Sequence, residues 1–282
     1  MTTLPTTHCR HHQRGFSIVE LMIAMLLGLL LMAGVLQLFS SNKTTFMGME
    51  GIAEIQDGAR AGIERMKSRI RMSGYMGCSN ANAIVPNNVT TGLAQIAFAP
   101  NVMVSGVDDD SAVNAVIDGT DTITVISATA ANTRLNASMG ATGSNLVIAS
   151  NPYNFRENDA LIITDCDTAD VFAISSITGT GPYTVAHAAS NTNGDTINGS
   201  SNLVKAYLAN NSLVMSLTNV TYSVQDTGRT DDAGNAVLGL FETPAGGAAV
   251  EVVSGVEDMQ ITYGIDTSAT PNGEANSYQV AP

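Results

Sequence analysis

The chain has 282 residues and a formal net charge of −13, because 25 acidic side chains stand against 12 basic ones. Charged residues make up 13% of it, about half of the usual ~25% share, so Ser, Thr, Asn and Gly supply much of the polar surface. This composition is typical of a β-rich protein outside the cytoplasm and argues against a broad basic surface for nucleic acid, while four His and three Cys leave little for metal or thiol chemistry.

The N-terminal 39 residues contain a polar, basic leader and then an apolar segment. Residues 1–15 carry Arg10 and Arg14, and the 24 residues of 16–39 include one charged side chain, Glu20. About 20 apolar residues allow a helix to cross a bilayer, with the basic flank on the cytoplasmic side. A cleaved secretory signal and a plain signal anchor are competing interpretations. The first has a shorter apolar core, and the second leaves the costly Glu20 unexplained.

The residues around Glu20 resemble the signature of type IV prepilins. The segment RGFSIVELMIA, residues 14–24, places a basic flank, a glycine, a phenylalanine and a glutamate in register before the apolar run. The resemblance implies cleavage between Gly15 and Phe16 by a prepilin peptidase, and N-methylation of the new Phe16 amine. Because a buried carboxylate is tolerated when it is paired, we expect Glu20 to pair with the Phe16 amine of a neighbouring subunit during assembly.

One continuous helix is predicted over residues 16–73, with Gly74 as its stop. Residues 16–39 form its membrane half and residues 40–74 an amphipathic half, in which apolar side chains recur every three or four positions. We expect this apolar stripe to pack on the following domain, with a groove for a separate partner as the alternative. The helix glycines would permit close packing or local melting. The stripe consists of Phe46, Met49, Ile52, Ile55, Ala59, Ile63, Met66 and Ile70.

Residues 75–282 are predicted to form an acidic, β-rich domain. Residues 73–282 hold 20 acidic and four basic side chains, a net charge of −16. Short segments rich in Val, Ile and Thr alternate with turn residues, and no long helical pattern separates them, which favours a mainly antiparallel sheet. Residues 80–118 are expected to be variable, and residues 178–202 to form a hairpin and polar loop. The predicted strands are 122–127, 145–150, 160–164, 171–177, 183–186, 203–208, 212–217, 220–224, 237–241, 249–253 and 259–263.

Two cysteines remain when cleavage removes Cys9 with the leader. Cys78 follows the predicted helix, and Cys166 follows a predicted strand. An even number of cysteines outside the cytoplasm favours a disulfide between them, and two separate buried thiols are the alternative. The bridge would close a loop of about 89 residues and stabilise the fold by about 4 kcal/mol.

Three later segments resemble minor pilins of the PilW type. They read RMKSRIRMSGYMGC at 65–78, DCDTADVF at 165–172 and VEDMQITYGID at 256–266. Together with the prepilin start, the resemblance implies a pilin-like α+β fold, in which a long N-terminal helix packs on a mainly antiparallel β-sheet domain. Such pilins continue into a further C-terminal strand, whereas this chain ends at Pro282. A C-terminal truncation is therefore one expectation.

The resemblance implies a non-catalytic minor pilin that helps to start a type IV pilus in a priming or tip complex, supporting adhesion, twitching motility or DNA uptake. Its partners would be other minor pilins, the major pilin and the inner-membrane assembly platform. The domain would lie in the periplasm and later in the extracellular pilus. A minor pseudopilin of type II secretion is the first alternative. A membrane-anchored surface enzyme is the second, disfavoured because nucleophile motifs and P-loops are absent.

No cofactor and no metal is predicted. His187 is the one histidine left after leader removal, which is too few for a zinc site with the paired cysteines. Acidic clusters at 108–110, 231–232 and 266–274 offer the oxygen ligands that Ca²⁺ prefers, but none has the EF-hand pattern. Solvated acidic loops are the favoured interpretation of these clusters.

Overall fold

The structure, a computed structural model, describes residues 15, 17–78, 89, 103–110, 115–129, 133–270 and 272–281. The chain divides into two compact units, residues 1–56 and 57–282. Helix α1 spans Ile18–Arg71, which confirms the predicted helix to within two residues at each end. The first unit contains the beginning of α1, and the second contains its last turns and the β-strands.

Thirteen strands follow α1 in the described part of the chain, and every pairing between them is antiparallel. Eleven form one sheet, and β12 and β13 form a separate pair. This α+β architecture confirms the predicted fold class. The strands are β1 Val104–Val107, β2 Thr122–Ala128, β3 Thr133–Ala137, β4 Leu146–Ile148, β5 Ala160–Thr164, β6 Ala169–Ala173, β7 Ser176–Thr178, β8 Tyr183–Ala186, β9 Leu213–Thr230, β10 Ala236–Pro244, β11 Val250–Ser254, β12 Tyr263–Ile265 and β13 Ser277–Gln279.

The long strand β9 organises the large sheet. Its residues 213–216 pair with β5, and 213–214 also pair with β3. Its residues 217–222 pair with β2, and the part from 220 onward pairs with β10. Strand β11 extends the sheet beyond β10, and β1 extends it beyond β2. The half of the sheet formed by β1, β2, β10, β11 and the later part of β9 carries the end of α1.

The end of α1 is fixed by its backbone. The Ser73 amide donates to the Ile70 carbonyl at 3.1 Å, and Gly74 then takes a φ of 68°, a left-handed conformation that favours glycine. The Gly74 amide donates to the carbonyl of Ile126 in β2 at 2.9 Å, and the Tyr75 carbonyl accepts from the Ala128 amide at 2.8 Å. The chain therefore leaves the helix directly onto β2.

Several predicted strands are confirmed. The segments 160–164 and 183–186 match β5 and β8 residue for residue. The segments 122–127, 145–150, 237–241 and 249–253 match β2, β4, β10 and β11 with shifted ends. A hairpin, β7–β8, is present near the start of the predicted range 178–202, but its first strand lies before that range except for Thr178. Each of these segments has a local β pattern and also lies beside another strand with which its backbone pairs.

Two predicted strands are wrong. Residues 203–208 form a loop rather than a strand, in which Leu203 and Tyr207 are buried. The side chain of Asp170 holds this loop, since it accepts from the Val204 amide at 3.1 Å and from the Tyr207 hydroxyl at 2.7 Å. The segment 259–263 enters a strand only at its last residue. Their apolar alternation reflects burial against the core and not pairing in the sheet.

Other strands differ in length from their predictions. The segments 212–217 and 220–224 are one continuous strand, β9, and the segment 171–177 is divided between β6 and β7. Strands β1, β3 and β13 were not predicted. Most of the variable region 80–118 lies outside the described residues, and β1 falls within the part that is described.

The buried apolar side chains form three clusters. The first includes Ile162 and Met215, and the second includes Phe172 and Tyr207. The third lies under the end of α1 and is less completely covered. Among the described residues it has five buried members, Ile123, Val125, Val220, Tyr222 and Leu240, and seven partly buried ones, Met66, Val104, Val252, Val253, Val256, Met259 and Ile261.

Candidate assembly site on helix α1

The predicted processing residues lie at the start of α1. Gly15 is exposed and precedes the helix, and Glu20 is an exposed acid in the first helical turn, where the helix dipole favours a negative charge. The Leu21 amide donates to the Ser17 carbonyl at 3.1 Å, so the helical hydrogen bonding starts at Ser17. Phe16 and the leader residues 1–14 lie outside the described residues.

The first part of α1 has the length and composition of a membrane-spanning helix. No Asp, Glu, Lys or Arg occurs between Glu20 and Lys43. These 22 residues span about 33 Å at 1.5 Å per residue, close to the ~30 Å hydrocarbon core of a bilayer. Large apolar side chains from Ile18 to Phe39 are exposed, with Leu31 at 73%. Exposure of such an apolar surface to water is unfavourable, whereas burial in lipid or against apolar helices of neighbouring molecules is favourable.

Two glycines bring the end of α1 close to the sheet. Gly62 is the buried residue of the helix. A Cβ atom placed on it would lie 3.1 Å from Val253 and 3.3 Å from Leu240, and one on Gly58 would lie 3.0 Å from Val253. This confirms the prediction that glycines permit close packing at these two positions. A Cβ on Gly28, Gly34, Gly48 or Gly51 would meet nothing within 4 Å.

The apolar stripe does not pack on the sheet as predicted. Ile63 is 58% exposed and Ile70 is 37% exposed, whereas Met66 is half-buried. The face that packs runs through Gly58, Gly62 and Met66, because the small residues allow the backbone itself to approach β10 and β11. The expectation that the stripe would be buried by core packing is therefore wrong for its isoleucines. Phe46, Met49, Ile52 and Ile55 are also exposed.

A charged cluster fixes the rotation of α1 on the sheet. Arg65 donates from Nε to Glu242 Oε2 at 2.7 Å and from Nη2 to Oε1 at 3.2 Å. Arg69 donates to the same Oε1 at 3.2 Å, and the buried Tyr222 hydroxyl donates to Oε2 at 3.1 Å. Arg65 and Arg69 lie one turn apart, so both reach one carboxylate. The sequence showed these two bases at that spacing but gave no sign of their partner on β10.

The electrostatics of this cluster favour the ionised carboxylate. Burial alone would raise the pKa of Glu242, but the hydrogen bonds and charge of Arg65, with help from Tyr222 and Arg69, hold it below its ordinary value. Burial and the nearby carboxylate raise the pKa of Tyr222 to about 12, so its hydroxyl remains a donor at neutral pH. Hydrogen bonding to Glu242 raises the pKa of Arg65. These shifts keep Glu242 ionised, Tyr222 protonated and Arg65 charged near pH 7.

A disulfide joins Cys78 to Cys166, with their Cα atoms 4.8 Å apart. Cys78 follows the end of α1 by seven residues, and Cys166 lies in the turn between β5 and β6. Both residues are exposed, which differs from the alternative of separate buried thiols. The bridge connects the segment after α1 to the part of the sheet that contains β5. Met76, which lies between the end of α1 and Cys78, is buried.

Two of the acidic clusters stabilise the turns in which they lie. The Asp231 side chain accepts from the amides of Ala233 and Asn235, and the Asp266 side chain accepts from those of Ser268, Asn272 and Gly273. Hydrogen bonds from the side chain and the amide of Ser268, with those from the amides of Gly273 and Asn272, lower the pKa of Asp266 to about 2. Among the described residues, no group of three or more His, Cys, Asp or Glu side chains has an arrangement that could hold a metal ion.

Comparison with known proteins identifies the N-terminal segment. The prokaryotic N-terminal methylation motif matches residues 10–36. The motif supports a type IV pilin-like or pseudopilin-like protein, anchored in a membrane by α1, processed by a prepilin peptidase and assembled with pilin partners. It favours a structural protein over an enzyme. No curated protein matches the chain, and no solved structure matches it.

Proposed function

We propose that this chain is a minor pilin of the PilW type that helps to initiate a type IV pilus. It joins other minor pilins in a priming or tip complex on the inner-membrane assembly platform, and the major pilin is its further partner. The observation that carries the proposal is the methylation motif at residues 10–36, placed at the start of an unbroken 54-residue helix. The complex supports adhesion, twitching motility or DNA uptake, and this subunit acts by assembly rather than catalysis.

The proposed domain organisation follows the processing of the motif. Residues 1–15 are the leader, which is removed between Gly15 and Phe16, and residues 16–39 are the membrane helix. Residues 40–74 continue the rod, and residues 75–282 form the domain that lies in the periplasm and later in the pilus. The net charge of −16 on residues 73–282 argues against direct DNA binding by this subunit.

Glu20 and the new N-terminus form the proposed assembly contact. The amine of Phe16, freed by cleavage and then methylated, remains cationic at neutral pH. Glu20 carries the one carboxylate of the apolar segment, and its burial among neighbouring helices is tolerable when a cation pairs with it. Pairing across subunits sets the axial register of the helices, and the surrounding apolar surface supplies adhesion without setting register.

The first experiment measures processing and incorporation in the same cells. Mass spectrometry of the native chain is expected to show residue 16 as a methylated N-terminus. Glu20→Ala is expected to leave membrane insertion intact and to reduce incorporation into filaments more than about tenfold, since removing one partner of a buried ion pair costs ~3–5 kcal/mol. Glu50→Ala is the matched control, because Glu50 is an exposed acid of the same helix beyond the apolar segment.

An uncleaved leader in wild-type cells would refute the proposal. Normal incorporation of the Glu20→Ala variant would refute the role of Glu20. A minor pseudopilin of a type II secretion system is the second candidate, because the same methylation motif supports both kinds of protein. Deletion of the gene distinguishes them: loss of surface filaments supports the pilus, and retention of a secreted protein inside the cell supports the secretion system.

A further inference from the structure

The large sheet has a gap beside the middle of β9. Strands β2 and β3 follow one edge of β9, and β5 and β10 follow the other. On the second edge β5 pairs with residues 213–216 and β10 with the part from 220 onward, so neither strand pairs with residues 217–219. The gap is a cavity of about 310 Å³, and it reaches the surface at the exposed residues 244–246.

Hydrogen bonds hold both walls of this cavity. On the wall formed by the end of β10, the Ala245 amide donates to the Asn219 carbonyl at 2.8 Å. On the wall that precedes β5, Glu157 Oε1 accepts from the Thr192 amide at 2.8 Å and from the Thr192 hydroxyl at 2.5 Å. The cavity is therefore formed before a ligand arrives, which lowers the entropic cost of binding.

Four polar side chains of the lining keep hydrogen-bonding capacity. The Asn219 amide and the Ser216 hydroxyl have no side-chain hydrogen bond to another described residue. In Glu157 and Asp159 one carboxylate oxygen accepts from the protein, and the other has no partner within the described part of the chain. Burial raises the pKa of Asp159 above its ordinary value, because the carboxylate has lost part of its hydration. The cavity thus offers two acceptors and two groups that both donate and accept.

The lining also selects a ligand by charge and by shape. None of its described residues is a base, so an anion would meet two carboxylates without a counter-charge. Ala160, Leu217 and Pro244 add aliphatic surface. A pyranose ring has hydroxyl groups around its edge and C–H groups on its faces, so it matches a lining of both kinds. The volume lies at the lower end of the ~300–1,000 Å³ range of small-molecule pockets, which suits one such ring.

We propose that this cavity binds one neutral monosaccharide unit, either as a free sugar or as the end residue of a glycan. The carboxylates of Glu157 and Asp159 accept from its hydroxyl groups, and Ser216 and Asn219 supply donors. The aliphatic side chains contact its C–H groups, and the mouth at residues 244–246 leaves the rest of a glycan outside. The inference goes beyond the proposed function and does not require it, because it rests on the cavity and its lining.

Saturation-transfer NMR on the mature chain tests the site. The chain is held in dodecylphosphocholine micelles, because a detergent with a sugar head group would compete. The probes are the methyl glycosides of glucose, galactose, mannose, N-acetylglucosamine and N-acetylgalactosamine, each up to about 10 mM, since so small a ligand binds weakly. At least one of them is expected to receive saturation. The anionic sugar N-acetylneuraminic acid and the cation butylammonium are expected to receive none.

Beads that carry the same sugar as the end residue of a glycan distinguish the two sources. Capture of the mature chain by these beads supports a glycan end as the ligand. Binding of the methyl glycoside without capture supports a free sugar.

Two substitutions with matched controls locate the binding. Asn219→Ala is expected to weaken it about three- to tenfold, the effect of one or two lost hydrogen bonds, and Asn210→Ala, an exposed asparagine outside the lining, is expected to leave it unchanged. Ala245→Phe fills the exposed mouth and is expected to weaken binding more than about tenfold, whereas Ala233→Phe in the turn after β9 is expected to have no effect. Circular dichroism and the intact Cys78–Cys166 bridge check that each variant is folded.

Three results would overturn the inference. They are no saturation of any of the five glycosides, equal losses in a variant and its control, and binding of butylammonium or N-acetylneuraminic acid in place of the neutral sugars. The N-terminus of the same chain is determined by mass spectrometry. A correctly processed chain that binds no sugar refutes this inference alone, and a retained leader refutes the proposed function alone.

Discussion

Replacement of Glu242 by glutamine tests how α1 is held on the sheet. The variant keeps the size of the side chain and one acceptor oxygen, but it removes the charge that Arg65 and Arg69 share and weakens the acceptor of the buried Tyr222 hydroxyl. Removing a partner from a fully buried ion pair costs ~3–5 kcal/mol. Here Arg65 is 54% exposed and Arg69 34% exposed, so water can rehydrate them. We expect a loss of about 1–2 kcal/mol at pH 7.

The pH dependence of this loss has a defined sign. The pKa of Glu242 is lower in the folded chain than its ordinary value of 4.5. Its contribution to the free energy of unfolding is therefore fully present above about pH 5 and disappears as the pH falls through the folded-state pKa. The difference between wild type and Glu242→Gln should shrink towards zero over that acidic range, because the protonated wild-type carboxyl is also neutral.

The assay is urea unfolding of the mature chain in detergent micelles, followed by circular dichroism from pH 7 down to pH 3. Glu251→Gln is the matched control, since Glu251 forms a surface pair with Arg229 at 2.5 Å and Arg229 is 53% exposed. The free energy of unfolding lost in the Glu251→Gln variant should stay below ~1 kcal/mol. Equal losses in both variants, or a Glu242→Gln loss that does not change with pH, would refute the role of the cluster.

Two further predictions concern the other attachments of the helix. Gly62→Leu should destabilise the chain by ~1–3 kcal/mol in urea unfolding, because its side chain would displace Val253. Gly48→Ala, which meets nothing within 4 Å, should be neutral or stabilising by up to ~1 kcal/mol, and a similar loss in both would contradict close packing. Replacing both Cys78 and Cys166 with serine should cost up to about 4 kcal/mol, and alkylation of the native mature chain without reductant should label neither cysteine. Two labelled cysteines would contradict the bridge.

The features predicted well are those whose signal lies within a few residues of sequence. The helix of Ile18–Arg71 follows from its apolar run, its 3.6-residue period and the glycine at position 74. Strand β5 is a short apolar run, and strand β8 alternates apolar and polar side chains. Turn residues flank both strands. The methylation motif is also local, since its glycine, phenylalanine and glutamate lie within six residues.

The features predicted poorly depend on partners far along the chain. Strand β9 continues through Thr218 and Asn219 because β2 pairs with it there, between the residues that pair with β5 and those that pair with β10. Residues 203–208 have a strand-like pattern, yet they form a loop in which the Val204 amide and the Tyr207 hydroxyl donate to Asp170. Pairing of this kind is decided by which backbone groups meet in space, and a local pattern does not contain that information.

The sequence by itself determined the N-terminal motif, the continuous helix and the β-rich character of the acidic domain, because each arises from short-range periodicity and composition. Only the tertiary structure decided which face of the helix is buried. Gly62 and Met66 face the sheet and Ile63 faces outward, because Glu242, 177 residues beyond Arg65, fixes the rotation of the helix and the glycines fix its depth. Hydrophobicity favours burial of any apolar face, and close approach and charge pairing select one of them.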